Sequence, residues 1–337
     1  MKKIIEFLAQ CKLAKKQFFQ NLTVFPLIGP DRFNPFYLTL EEALSDNRIQ
    51  LLELDEEGAV SDIRLVNHGK KPVLIVEGEA IAGAKQNRIV NATFLIAGTT
   101  KIVLPVSCVE QGRWRRDTNQ FHHSNRLMNP SLRRETKSGV LHSLKRGEGY
   151  RSDQSRVWND IAEKSQQLGV NSPTMAMTDV FESYTDRLKA YKDQFHCVEN
   201  QLGAVFAMNG QVCGVEAFGC TATYRHFHEK LVQSYALDAL DKDALDKGVL
   251  DKKGKNKNSV PPSKTEHFMA SFMKSNSEKH PSISLGDTIS IESKIFIGSA
   301  LVYGNKILHL AAFRKDVGKA PENQSFARFD RRRRFYQ

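Results

Sequence analysis

Two short segments concentrate the side chains that could do chemistry. The first, residues 76–91 (VEGEAIAGAKQNRIVN), packs Glu77, Glu79, Gly83, Gln86, Asn87 and Arg88 into twelve positions directly after an apolar run. Gln86 and Asn87 carry donors and acceptors suited to an amide, a ribose or a base edge, and Arg88 offers a planar fork for phosphate or carboxylate. Gly78 and Gly83 let the backbone turn tightly and approach a ligand. On extended backbone Glu77 and Glu79 share one face, a spacing that could hold Mg²⁺ or divide acid and base roles. The second segment, residues 105–114 (PVSCVEQGRW), ends another apolar strand and adds Glu110, Gln111, Arg113 and Trp114, whose ring could stack on a base. If 88–96 and 101–109 pair as a hairpin about 97–100, Arg88 falls opposite residue 109 or 110 and beside Glu110. The two segments then form one polar site at one end of a sheet. The structural alternatives are a charged turn with a surface ion pair and a tryptophan in the core.

Other chemistry-bearing residues are weaker candidates. Cys108 sits near Glu110 and could be a nucleophile, but no histidine is tied to it in sequence, and free cysteines are mostly packing residues. His226 and His228 (RHFHE) are two apart on an expected helix, so they point to different faces, which is poor metal geometry. His122 and His123 read as a solvated pair. There is no Walker motif, GxSxG elbow, HExxH or GxGxxG.

The combination Glu-Gly-Glu (77–79), Gly83, Gln-Asn-Arg (86–88) and Pro-Val-x-Cys-x-Glu-x-Gly-Arg-Trp (105–114) resembles the family named for its association with ADP-ribosylglycohydrolases and rhodanese/phosphatase-type domains. The resemblance covers about 20–235 and 285–313. It implies an α+β domain that binds or processes ADP-ribose or a related NAD-derived nucleotide. Under it, Glu77, Glu79 and Glu110 are the candidate catalytic carboxylates or Mg²⁺ ligands. Gly83, Gln86, Asn87, Arg88, Arg113 and Trp114 are the candidate substrate-binding residues.

The elements that must position these residues are mostly strands. IQLLEL (49–54), AVSDIRLVN (59–67), VLIVEGE (73–79), RIVNATFLI (88–96) and KIVLPVSCV (101–109) are short and joined by tight turns, which implies an antiparallel sheet and not a Rossmann unit. VLIV is apolar on both faces, as a central strand would be. Thr39 and Glu42 form a capping box for a short helix. Helices are expected over 3–20, 154–169, about 174–195 and 223–240, with a hairpin at 203–219 turning on Asn209-Gly210. Two further strand segments, 287–298 and 300–313, close the fold. The expectation is an α+β fold in which N-terminal and C-terminal strands form an antiparallel sheet with helices on one side. It comprises an N-terminal helix (1–20), a single α+β domain (21–240 and 285–314), a flexible charged insertion (241–282) and a disordered basic tail (318–337).

The formal charge of +11 is not spread evenly. Residues 113–156 hold eleven Lys/Arg against four acids, and residues 328–337 hold five against one, which leaves the rest of the chain neutral. A neutral body with local basic segments points to an anion site or to one face that meets polyanions such as RNA. Residues 115–153 read as a long basic surface loop, with a short helix within 132–145. No apolar run is long enough to cross a membrane. The five cysteines are odd in number and form no CxxC pair, which points to a reducing, cytoplasmic setting. Three functions follow: a hydrolase or transferase acting on an ADP-ribose-like nucleotide, a non-enzymatic binding module for ADP-ribose groups or RNA, and an interaction scaffold.

Overall fold

The apolar runs pair almost entirely antiparallel. In a computed structural model, residues 1–115, 118, 120–245 and 260–315 are described. The chain opens with α1 (Lys2–Leu8), β1 (Lys12–Leu13), β2 (Gln17–Phe19), β3 (Leu22–Ile28), β4 (Leu38–Thr39) and α2 (Leu40–Ser45). A strand-rich stretch follows: β5 (Ile49–Leu52), β6 (Asp62–Asn67), β7 (Val73–Ile75), β8 (Glu79–Gly83), β9 (Arg88–Val90), β10 (Phe94–Ile96), β11 (Thr100–Cys108) and β12 (Phe121–Leu127). Helices α3 (Pro130–Lys145), α4 (Gln154–Gln167), α5 (Met177–Ser183) and α6 (Thr185–Lys192) precede the hairpin β13 (Gln201–Met208) and β14 (Gln211–Phe218). The described residues close with α7 (Thr221–Leu245), α8 (Pro262–Met273), β15 (Asn276–Pro281), β16 (Asp287–Glu292), β17 (Phe296–Tyr303) and β18 (Lys306–Arg314).

The fold is α+β, and its strands form three sheets. A nine-stranded sheet runs β1-β3-β13-β14-β18-β17-β16-β15, with β2 also on β3; a six-stranded sheet runs β12-β8-β9-β11-β6-β5; and a three-stranded sheet runs β10-β7-β4. Among the described residues only the two-residue β4–β7 pairing is parallel. β7 is central in its sheet, and its two faces enter different cores: Val73 and Ile75 face the six-stranded sheet, whereas Leu74 packs toward α7 and the nine-stranded sheet. The 88–96 segment does not stay in one hairpin. β9 pairs with β11, but β10 turns away to pair with β7, so Arg88 lies opposite Cys108 and not 109 or 110.

Helices cover both faces of the nine-stranded sheet. Along β13, Ala204, Phe206 and Met208 face α7, while Val205 and Ala207 face the core shared with α1 and α8. The sheet needs both covers because its strands are apolar on both sides. The amphipathic pattern over 3–20 is helical only to Leu8. Gln17–Phe19 instead pair with β3, because those residues find a long apolar strand beside them. β3 itself (LTVFPLI) is interior, with β13 on one side and β1 and β2 on the other. Its proline is tolerated because the carbonyl of Pro26 points to the β1/β2 side, where Ala14 N–H reaches it. The missing N–H faces that same side, at the gap between β2 and β1.

The expected helix from Thr174 is two short helices broken at Tyr184. The 115–153 stretch is not a loop: it supplies β12 and the sixteen-residue α3. Within 241–282, residues 246–259 lie outside the described residues. The remainder is structured: Phe268 and Phe272 of α8 are buried, and β15 pairs along its length with β16. The sequence around α8 is polar because only one narrow face of that helix is covered. The 318–337 tail also lies outside the described residues.

Where α3 crosses between the sheets it carries Arg133 and Lys137 into the interior. Arg133 binds both oxygens of Glu216 (2.6 and 3.1 Å) and one of Glu77 (3.2 Å). Lys137 donates to the other Glu77 oxygen and to Ser299 (2.6 Å). His309 bridges Glu216 (3.2 Å) and Thr93 (2.8 Å), and Tyr235 donates to Glu216 (3.2 Å). Gly78 makes this possible: its φ is +80°, and a Cβ there would sit 2.9 Å from the Arg133 side chain. Burial alone would raise the Glu77 and Glu216 carboxyls. Lys137 and Arg133 at Glu77, and Arg133 together with the His309 hydrogen bond at Glu216, hold both below the usual range.

Two stability outcomes follow. Glu216→Gln leaves Arg133 half-compensated in the interior and should cost about 3–5 kcal/mol by chemical denaturation. A depressed carboxyl contributes stability that is present above its unfolded value of about 4.3 and is lost as pH falls through the folded value. Wild type should therefore lose stability steeply below about pH 4, and the variant should lose less over that range. Phe272→Ala, at a fully buried position of α8, should cost about 3–5 kcal/mol. An unchanged midpoint would mean that α8 does not pack as described.

Candidate functional site

The Gln-Asn-Arg segment forms the corner between β8 and β9, and its shape is set by two unusual backbone positions. Gly83 has φ +107°, and an added Cβ would lie 2.5 Å from Thr118 Oγ1 and 3.0 Å from the Gln120 carbonyl. Ala84 follows at φ +44°, its N–H held by Thr118 Oγ1 at 2.8 Å. The chain then reverses so that Asn87 Oδ1 accepts from Gly83 N–H (3.1 Å) and from Arg113 (3.1 Å). Lys85 N–H is anchored on Glu53 at 3.0 Å.

β11 delivers the second segment to the same corner. Glu110 is joined by Arg113 at 2.6 Å, by Asn87 N–H at 3.1 Å and by the Thr174 hydroxyl at 3.1 Å. Gln86 donates to the Glu110 carbonyl at 3.0 Å. Arg113 also reaches the Ala84 carbonyl at 3.0 Å. The loop before α5 adds backbone pairing, with Gly112 N–H to Thr174 O and Met177 N–H to Val109 O. Gln154 of α4 clamps Cys108 through both its backbone N–H and its carbonyl, each at 2.8 Å. Burial pushes the Cys108 thiol up, so it is a poor nucleophile at neutral pH.

Arg88 lies under this corner, 0% exposed. Its hydrogen bonds go to neutral oxygens: Gln86 Oε1 (3.0 Å), the Ala59 carbonyl (3.3 Å) and the Asn87 carbonyl (3.4 Å). Its Nε has no partner among the described residues. No described carboxylate is within ion-pair distance, because Arg113 and not Arg88 takes Glu110. Burial accordingly lowers its pKa. Trp114 sits above it, 48% exposed, with the Arg88 guanidinium 5.9 Å and Lys85 Nζ 5.3 Å from its ring centre. The corner thus presents an exposed aromatic plane over a desolvated cation.

The structure therefore brings together Gly83, Gln86, Asn87, Arg88, Glu110, Arg113 and Trp114. It does not bring Glu77 and Glu79 together. Gly78, at φ +80°, breaks the extended geometry that would have aligned them. Glu77 turns into the ion network with Arg133 and Lys137, whereas Glu79 accepts from Val76 N–H (2.6 Å) and faces His123 Nε2 at 3.3 Å. Among the described residues no group of three or more His, Cys, Asp or Glu is placed to hold a metal ion, so a Mg²⁺ bridge between these carboxylates does not fit. His123 is only slightly exposed and is no solvated residue: its Nδ1 accepts from Asn125 N–H at 3.1 Å. His228 is likewise engaged at both ring nitrogens, by Tyr224 and the Phe195 carbonyl. Glu53, Gln154 and Thr174 belong to the corner but carry no local signal, since they arrive through pairings with distant segments. Lys85 lies within the 76–91 segment itself, and its basic type alone does not mark it.

Many of the cations of the basic stretch 113–156 are engaged by partners within the chain, two of them in the interior and the rest at or near the surface. Besides Arg133 and Lys137, Arg126 binds Gln233 (2.6 Å), Lys145 binds Glu292 (2.8 Å), Arg146 binds Glu148 (2.6 Å), and Arg156 binds Asp160 (3.1 Å). Among the described residues no helix is long and apolar enough to cross a membrane, and all five cysteines are free thiols.

The model of the ARG and Rhodanese-Phosphatase-superfamily-associated Protein domain matches residues 10–313, and the chain belongs to that family. No curated protein matches the chain. No solved structure matches it either.

The corner depends on Gly83. Gly83→Ala places a side chain at a φ that L residues rarely adopt and against Thr118, and should cost about 1–3 kcal/mol in thermal or chemical unfolding. Gly147→Ala is the control: it also has positive φ but nothing lies within 4 Å of its Cβ, so its cost should be the smaller.

Proposed function

We propose that the chain binds ADP-ribose or a related NAD-derived nucleotide at the corner formed by Gln86, Asn87, Arg88, Arg113 and Trp114. One observation carries this reading: Arg88 is a fully buried cation with neutral oxygens as its only hydrogen-bond partners, directly beneath a half-exposed tryptophan. Among the described residues the Glu53 and Glu110 carboxylates act on Arg88 only across space and burial outweighs them; a buried charge without a contacting counter-charge is costly, and an anionic ligand relieves that cost when it binds. The exposed Trp114 ring offers a stacking face for the base, and Gln86 and Asn87 lie beside it to address ribose or base edges. The resemblance of segments 77–88 and 105–114 to a family named for its association with ADP-ribosylglycohydrolases is what suggests the nucleotide class.

The same geometry favours binding over turnover. Glu110 accepts three hydrogen bonds from the protein, including one from the Arg113 cation, and so has little capacity left to take a proton from water. Its role in this reading is to hold Arg113 and the Asn87 backbone in place.

Calorimetric titration of ADP-ribose, ADP, AMP, ribose 5-phosphate and pyrophosphate should show saturable binding of the nucleotides. Trp114→Ala should weaken base-containing ligands by about tenfold or more and leave pyrophosphate unaffected, since base stacking contributes about 1–3 kcal/mol. Trp114→Phe should retain most of the affinity. Arg88→Met should lower nucleotide affinity while unfolding no earlier than wild type, because it removes a desolvated charge. If no nucleotide binds, or if Trp114→Ala binds all of them like wild type, the proposal fails.

A further inference from the structure

A second feature lies on the α1/α8 face of the nine-stranded sheet, outside the corner described above. A groove of about 460 Å³ opens between α8, the turn into β14 and that strand's first residues (210–212) and the start of β17. Its floor is apolar: Phe268 of α8 and Phe296 of β17 meet edge to face at 4.7 Å, and the exposed Ile295 stands at the margin. Its rim carries Lys264 and His267, one turn apart along the open face of α8, and Arg314 at the end of β18. No Asp or Glu lines it. Among the described residues the side chains of these three make no hydrogen bond or ion pair. Neighbouring cations are treated differently: Lys315, the next residue after Arg314, is paired with Glu292 at 2.8 Å, as is Lys145.

We propose that this groove binds a small carboxylate with an apolar body, the carboxylate at Lys264 and Arg314 and the hydrocarbon over Phe268 and Phe296. The charge complementarity is one-sided, with a positive rim and no acid. The volume falls within the range of about 300–1,000 Å³ that small-molecule sites occupy.

The test uses the full chain with octanoate, octanol and octylamine as probes of one length and three charges. Octanoate should bind saturably by calorimetry and raise the melting temperature, and octanol should bind at least about tenfold more weakly. Octylamine should not bind. Lys264→Gln and Arg314→Gln, both at surface positions, should each weaken octanoate several-fold and leave the ligand-free melting temperature unchanged. Equal binding of octanol or octylamine would overturn the proposal. So would a Lys264→Gln/Arg314→Gln double variant that binds octanoate like wild type. If a glutamate-rich peptide binds in a manner sensitive to these variants while octanoate does not, the occupant is an acidic protein segment and the small-carboxylate proposal is wrong.

Discussion

The buried contact between Arg133 and the carboxylates of Glu216 and Glu77 is the constraint on which the rest of the molecule depends. It joins three elements that share no sequence neighbourhood: α3, the strand β14 of the nine-stranded sheet, and the β7–β8 connection of the smaller sheets. With Lys137 it brings two cations and two carboxylates together, a balanced set that can exist without water because each charge meets its opposite. Serine, threonine, tyrosine and histidine groups take up remaining hydrogen-bonding capacity. Such a network adds little net stability relative to apolar packing. What it does is fix one relative placement of the sheets, since any other leaves an unpaired charge in the interior. The corner at Arg88 inherits that placement, because β8 and β9 begin just beyond Glu77.

Much of the local structure was legible because it rests on local rules. The Asn209-Gly210 turn, the Thr39–Glu42 capping box and the apolar VLIV strand are all signals contained within a few residues, and all appear as expected. Helix α4 has a clear amphipathic period and an aspartate cap at Asp153. The failures are of one kind. Arg133 and Lys137 look like surface charges in a basic stretch, and nothing within ten residues says otherwise. Their partners are far along the chain, 83 residues away for Glu216 and 60 for Glu77. The proline within β3 argues locally against an interior strand, and only the split between β1 and β2 makes it acceptable. Glu77 and Glu79 seemed to share a face because alternation assumes an extended backbone, which the positive φ of Gly78 removes.

The candidate site was legible in its membership more than in its pairing. The residue types at 86–88 and 110–114 do converge, yet the expected Arg88–Glu110 pair is replaced by Arg113–Glu110. The reason is register: β9 stops pairing with β11 at Cys108, so Glu110 lies beyond the ladder and meets the turn at Asn87 instead. A shift of one or two residues in a strand pairing decides which arginine is neutralised and which is left over.

That difference separates the two buried arginines by purpose. Arg133 and Arg88 are equally removed from water, but Arg133 touches two carboxylates and Arg88 touches only amide and carbonyl oxygens. A fold under selection for stability alone has cheap alternatives at position 88, since a methionine of similar length would fill the space without a charge. Its neutral hydrogen-bond partners hold the guanidinium in one orientation, and the nearest carboxylates, Glu53 and Glu110, offset its field only in part and without contact. Burial beneath Trp114 keeps that field unscreened by solvent, so an anion drawn to this corner would meet it at much greater strength than at an exposed arginine. Arg133, already neutralised, offers no such field, and its charge serves to lock the sheets together.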